Sequence, residues 1–204
     1  YVERSHGLPS PIQHGAGRGL TKFFFYPGFT AATGGLLREP GLLQRRRRFD
    51  ARAWLSRHVA EIPPGERLAS VFCYAQPALP LWLDQLAGQP QRTRLLLSPG
   101  PAVAIAQAWL DRPLGIGQAH ARGAVTVQQL PWLTQREHDP LLWSCDLNLV
   151  RGEDTLVRAL WAGKPLLWQL YPQSDQAQLI KLRAFLDWGW PPQDAHGSAR
   201  RMLW

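Results

Sequence analysis

Leu147-Asn148-Leu149-Val150-Arg151-Gly152-Glu153-Asp154-Thr155 reads as a single unit. A short strand (147–150) runs into a glycine that permits a tight turn, and two acids then open a helix (153–162), where they complement the helix dipole. The same unit recurs on both sides. Upstream lie strands at 68–74, 93–98 and 125–130, with helices at 77–86, 101–110 and 136–143; downstream lie a strand at 165–171 and a helix at 174–188. Apolar runs alternating with helical periodicity predict an α/β fold, a Rossmann-like parallel sheet with helices on both faces and right-handed crossovers.

The regions outside this alternation read differently. Residues 1–44 are loop-rich, and Phe23-Phe24-Phe25-Tyr26 reads as a strand leading into the turn residues Pro27-Gly28. Phe49, Ala53, Trp54 and Val59 lie among arginines at helical spacing, predicting one helix over 44–58 that Pro63-Pro64-Gly65 shuts off. Residues 189–204 show neither period and read as an atypical tail.

Composition narrows the class. With 45% hydrophobic and 19% charged residues in 204, the chain can build a core. A net charge of +8 suits acidic partners, whether nucleic acid, a nucleotide phosphate or an acidic protein. The two cysteines, Cys73 and Cys145, stand far apart with no CxxC, which argues against a disulfide framework or zinc ribbon and for a cytoplasmic setting. No apolar run approaches the roughly 18 residues of a membrane span. Met202 is the only methionine and the chain opens at Tyr1, so an upstream portion is expected.

In an open parallel sheet, ligands bind beyond the carboxyl ends of the strands. That rule selects Arg151 to Thr155 first. The helix-start amides make an anion site, Arg151 adds a charge-assisted bond, Thr155 offers a hydroxyl, and Glu153 and Asp154 suit sugar hydroxyls. The alternative is a plain helix start with Asp154 paired to Arg158 at i,i+4. Tyr171-Pro172-Gln173 ends the next strand, where Tyr171 reads as a diphosphate cap or as a half-buried turn residue. Phe72 and Tyr74 share one face of a strand end, placed to stack on a base or sugar or simply to pack. His138 reads as a solvated loop histidine, with no second His or Cys at ligand spacing. Arg45-Arg46-Arg47-Arg48 reads as a solvated helix face rather than a nucleic-acid grip.

Three blocks carry a family resemblance. They are Phe25-Tyr26-Pro27-Gly28-Phe29-Thr30 with Thr33-Gly34-Gly35-Leu36-Leu37-Arg38-Glu39; Leu141 through Asp154; and Trp161-Ala162-Gly163-Lys164-Pro165 through Tyr171-Pro172-Gln173. From about Gly7 to Asp187 the chain closely resembles the bacterial elongation factor P arginine rhamnosyltransferases, the EarP family. The resemblance implies a two-domain glycosyltransferase of the GT-B type, of which this chain is similar to the C-terminal half plus the crossover into it. Residues 1–44 would then be the end of the N-terminal acceptor domain and the crossover, and 45–188 the nucleotide-sugar-binding domain. The tail at 189–204 departs from the family's expected ending. The implied reaction transfers L-rhamnose from dTDP-β-L-rhamnose, with inversion, to an arginine of elongation factor P, an acidic protein acceptor. It needs no metal or other cofactor and engages neither nucleic acid nor membrane.

Carried over by resemblance, Phe72 and Tyr74 form the aromatic pair near the nucleotide sugar, and Gln135 stands in the nucleobase pocket. Arg151, Glu153, Asp154 and Thr155 hold the diphosphate and neighbouring hydroxyls, with Thr155 where a serine is usual, and Tyr171 contacts the phosphates. His138 occupies the position of an aromatic that stacks on thymine. Glu153 is the one candidate here for a catalytic part, because the family's acceptor-side aspartates belong to the other half; the chain is therefore expected to bind nucleotide without turnover. A basic nucleic-acid-binding domain and a GT-B enzyme with another donor sugar stand as the alternatives.

Overall fold

The computed structural model describes residues 2–11, 15 and 18–189, and the atypical tail read from sequence lies outside them but for Gly189. The chain divides into two compact units, Tyr1–Pro40 and Gly41–Trp204.

The first unit opens with a short helix, α1 (Val2–Ser5). The aromatic run expected as a strand makes only one isolated bridge, Pro9 to Phe23. Backbone bonds from Gly7 N–H to Phe24 O (2.9 Å) and from Phe24 N–H to Leu8 O (3.0 Å) tie it to the preceding loop. Its side chains are spent locally: His6 meets Phe25 edge-on and accepts from the Tyr26 amide, while Phe24 stacks on Tyr26. With so little ladder the segment stays extended loop.

The second unit holds the alternating pattern. Its elements are α2 (Leu42–Arg47), α3 (Ala51–His58), β1 (Arg67–Val71), α4 (Leu79–Ala87), β2 (Thr93–Leu97), α5 (Pro101–Leu110), β3 (Ala119–Arg122) and β4 (Val125–Gln129). Then follow α6 (Gln135–Ser144), β5 (Leu147–Arg151), α7 (Gly152–Ala162), β6 (Leu166–Gln169) and α8 (Ala177–Gly189). The single helix expected over 44–58 is two. Asp50 breaks it, taking an extended conformation and accepting from the Ala53 amide as the N-cap of α3.

The six strands lie in the order β3-β4-β2-β1-β5-β6. All neighbours are parallel except β3, which pairs antiparallel with β4 at the edge. Sequence reading missed β3, because Ala119-His120-Ala121-Arg122 is only four residues long and carries no β-branched or large apolar side chain. Successive strand residues point to opposite faces. Ala69, Val71, Leu95, Leu97, Val125 and Val127 therefore pack on α4 and α5, and Leu68 and Leu96 on Trp54 of α3 and Leu141 of α6. Cys73 and Cys145 are buried free thiols, both raised in pKa by burial.

One buried cation fastens the α3 face. Arg94 of β2 donates from Nε to Glu66 Oε2 (2.9 Å), from Nη2 to Glu61 O (2.8 Å) and from Nη1 to Ala60 O (3.2 Å). The two side chains are 5% and 2% exposed, so deleting one partner strands the other charge in a dry site. Glu66→Ala is expected to lower the unfolding free energy by about 3–5 kcal/mol, against much less for the joint replacement Arg94→Met with Glu66→Leu; urea denaturation of both measures the contrast.

Candidate nucleotide-sugar site

The sheet winds one way through β1, β2 and β4 and the other way through β5 and β6, so β1 and β5 are neighbours whose crossovers leave in opposite directions. A crevice opens at the carboxyl ends of such a pair. Phe72, Cys73 and Tyr74 leave β1 there, and Arg151 and Gly152 leave β5.

Those exits are bonded together. The Phe72 amide donates to Leu149 O at 2.9 Å, and the Tyr74 amide to Oε1 of Gln169 at 2.8 Å. This holds both rings against Arg151, whose guanidinium carbon lies 4.1 Å from the Phe72 ring centre and 4.8 Å from that of Tyr74. Nη1 of Arg151 also donates to Cys73 O at 3.3 Å. Among the described residues, two rings and a carbonyl fix the cation without a carboxylate, which suits a site that receives an anion. Tyr171, 65% exposed, sets its ring edge against Tyr74 at 5.4 Å.

Gly152 makes the turn into α7 with φ +67°, and a Cβ there would stand 3.5 Å from the Tyr74 hydroxyl. Its carbonyl accepts from the buried Trp168 indole at 2.8 Å. The N-cap residue, Arg151, makes no side-chain cap bond to the first turn of α7, and that turn borders a cavity of about 300 Å³ lined by Phe72, Tyr74, Arg151, Gly152, Glu153, Asp154 and Thr155, so the helix start is placed to offer amides to an anion there. The Thr155 hydroxyl donates back to the Arg151 carbonyl. Glu153 pairs with Lys181 of α8 at 3.0 Å. Asp154 is exposed and does not take Arg158, the i,i+4 pairing considered from sequence. Arg158 instead donates from Nη1 to both oxygens of Asp139 at 2.8 and 2.9 Å.

A second, smaller cleft of about 70 Å³ shares Phe72 and is lined by Ser98, Pro99, Pro131, Trp132, Leu133 and His138. His138 is not in a solvated loop. Thr134 and Glu137 form a reciprocal capping box that starts α6 at Gln135, and this places His138 on the helix. Its ring lies edge-on to Phe72 at 6.2 Å, and its Nδ1 is buried without a hydrogen-bond partner among the described residues. Burial, then the Arg158 charge, holds its pKa at about 4, so the ring is neutral near pH 7. Gln135 lies on the exposed first turn of α6, with Arg158 as its amide partner.

The structure thus gathers Phe72, Tyr74, Arg151, Glu153, Asp154, Thr155 and Tyr171 around one cavity and its rim, with His138 lining the adjoining cleft; Gln135, on the same helix as His138, is not among the residues lining either and is held by Arg158. Sequence reading missed Trp132, although it follows β4 at a strand end, where the ligand rule applies. It also missed Gln169, Trp168 and Lys181, whose roles depend on strands and helices meeting. Among the described residues no three His, Cys, Asp or Glu side chains converge as a metal site requires, and no helix is long and apolar enough to cross a membrane.

Residues 1–202 match the family described as Elongation-Factor P (EF-P) rhamnosyltransferase EarP. The chain belongs to the EarP family. Relatives include the protein-arginine rhamnosyltransferases of Pseudomonas putida, 50% identical over 91% of this chain and 50% of the relative, and of Pseudomonas aeruginosa, 48% identical over 92% and 50%. That of Neisseria meningitidis is 34% identical over 91% and 48%. A solved structure described as "Structural basis for EarP-mediated arginine glycosylation of translation elongation factor EF-P" matches with a TM-score of 0.79 at 44% identity, covering 89% of this chain and 59% of that one. The chain spans about half the length of the curated EarP relatives it matches. Its fold is the Rossmann-like α/β half of a GT-B glycosyltransferase.

The orphaned ring nitrogen gives a test. The unfolded chain protonates His138 near 6.5 and the folded chain near 4. Its contribution to stability is therefore complete above about pH 6.5 and lost as pH falls towards 4. His138→Phe should remove this acid limb and raise stability by about 1 kcal/mol at neutral pH by deleting an unsatisfied polar atom. Urea midpoints of both proteins at pH 7.5 and 5 check the two effects.

Proposed function

We propose that this chain carries the donor-binding half of a protein-arginine rhamnosyltransferase that moves L-rhamnose from dTDP-β-L-rhamnose to an arginine of elongation factor P with inversion. The observation that carries the reading is the Arg151 cavity at the reversal of the sheet, in a chain of the EarP family. The diphosphate would lie on the α7 amides and Arg151, with Tyr171 closing over it. The base would enter the adjoining cleft between Phe72 and His138, and Asp154 and Glu153 would face the sugar hydroxyls.

The chemistry follows from those placements. A guanidinium nitrogen gives up a proton to solvent and attacks the anomeric carbon from the face opposite dTDP; the N–C bond forms as the bond from that carbon to the phosphate oxygen breaks, and dTDP leaves with the bonding pair. Charge gathers on the leaving diphosphate, where fixed amides and Arg151 are already aimed, so stabilisation requires no reorganisation and no metal. Glu153 is the carboxylate of this cavity assigned a supporting catalytic part by the resemblance, and here it pairs with Lys181. The resemblance gives the orienting of the guanidine to acceptor-side aspartates. The net charge of +8 favours encounter with an acidic acceptor, and free buried thiols suit the cytoplasm.

Calorimetric titration of the chain with dTDP, UDP and GDP, with circular dichroism on the same sample, tests the reading. A folded chain should bind dTDP in preference to the other two, and Arg151→Ala should weaken that binding by about tenfold or more, the worth of a charge-assisted bond. A folded chain that binds none of the three overturns it.

A further inference from the structure

Lys181 and Phe185 stand one turn apart on α8, so they share a face of that helix. Phe185 is buried and sets its ring edge against Trp168 of β6, the ring centres 5.2 Å apart. The Trp168 indole in turn donates to the carbonyl of Gly152, the residue that opens α7. This chain of contacts registers α8 against the Gly152 turn. Lys181 therefore arrives beside the next residue, where its Nζ donates to Oε1 of Glu153 at 3.0 Å. Glu153 lines the Arg151 cavity. An ionised carboxylate has two oxygens and about four acceptor sites, so one bond to an ammonium leaves it able to accept another. The pair is exposed, 52% for Lys181 and 68% for Glu153, and an exposed pair adds little to stability. What it does add is a fixed direction to an otherwise free side chain at the edge of the cavity.

We propose that Lys181 is a positioning residue that holds the Glu153 carboxylate towards the sugar of the donor, where it accepts from a hydroxyl that the bare nucleotide lacks. The inference rests on reading the cavity as the diphosphate and sugar end of a nucleotide-sugar site. Arg151 already supplies a charge for the diphosphate, held on Phe72, Tyr74 and the Cys73 carbonyl. The Lys181 ammonium is committed to a carboxylate instead. It acts on the sugar through Glu153, and not on the phosphates directly.

Comparison of dTDP-β-L-rhamnose with dTDP isolates the sugar, since the two share base, deoxyribose and diphosphate. The readout is the ratio of their dissociation constants, measured by calorimetry on the chain. Glu153→Ala should lower the relative affinity for the sugar-bearing ligand by about tenfold, the worth of a hydrogen bond to a charged group. Lys181→Met keeps the length and helix propensity of the side chain but not its charge. It should move the same ratio in the same direction by about threefold or more, a part of that bond. Lys181→Arg keeps a cation for Glu153 and should restore the ratio. In the Glu153→Ala background, Lys181→Met should change the ratio no further. A lysine that served the diphosphate itself would weaken both ligands alike. That outcome, or an unmoved ratio in Lys181→Met, overturns the assignment to Lys181 alone. So does a shift in the ratio that is equal with and without the Glu153 carboxylate. If the folded wild-type chain binds neither ligand, the donor-site reading falls and this inference falls with it.

Discussion

A sheet wound outward in both directions from its middle must place two strands side by side whose crossovers depart to opposite faces, and everything functional in this chain is built on that adjacency. At β1 and β5 the pairing is secured by more than its ladder. Ser70 Oγ donates to Asn148 Oδ1 at 2.6 Å, and Asn148 Nδ2 donates to Leu142 O at 3.1 Å, all in the buried interior. A one-residue slip would turn both polar groups onto the wrong face and strand them. The register so fixed pairs Val71 with Leu149, and from there Phe72 and Tyr74 both arrive against the Arg151 guanidinium.

Three arginines show how differently one residue type is used around this frame. Arg94 is neutralised inside the protein and fastens the loop after α3 to the sheet. Arg158 is neutralised by Asp139 and joins the helix of the phosphate end to the helix of the base end. Arg151 rests on aromatic faces and a carbonyl, its charge directed at the cavity. The net charge of the chain does not distinguish these uses. The distinction lies in which carboxylates the packing brings near each guanidinium.

The same logic explains the setting of His138. A neutral imidazole costs little to bury beside a cation, whereas an imidazolium would meet both desolvation and Arg158. The ring is therefore an uncharged planar surface across from Phe72. Its unpartnered nitrogen is the cost of a histidine where a hydrocarbon ring would leave no polar atom unsatisfied.

Much of this was legible in the residues. Local periodicity drew the alternation of strands and helices, Gly152 and the acids after it marked the strand-to-helix turn, and three long blocks marked the family. These features are written in neighbouring residues, because strand and helix patterns and turn chemistry act over a few positions. Two local features were still masked by the pattern around them. The Asp50 cap that divides 44–58 sits inside one continuous helical spacing, and β3, joined to β4 by Gly123-Ala124, is too short and too poor in large apolar residues to stand out. Other contacts were decided by long-range pairing. Arg158 left its helical neighbour Asp154 for Asp139 on α6, and the Tyr74 amide found Gln169 on β6. In these cases the partner lies far along the chain, and only the folded protein sets the distance between them.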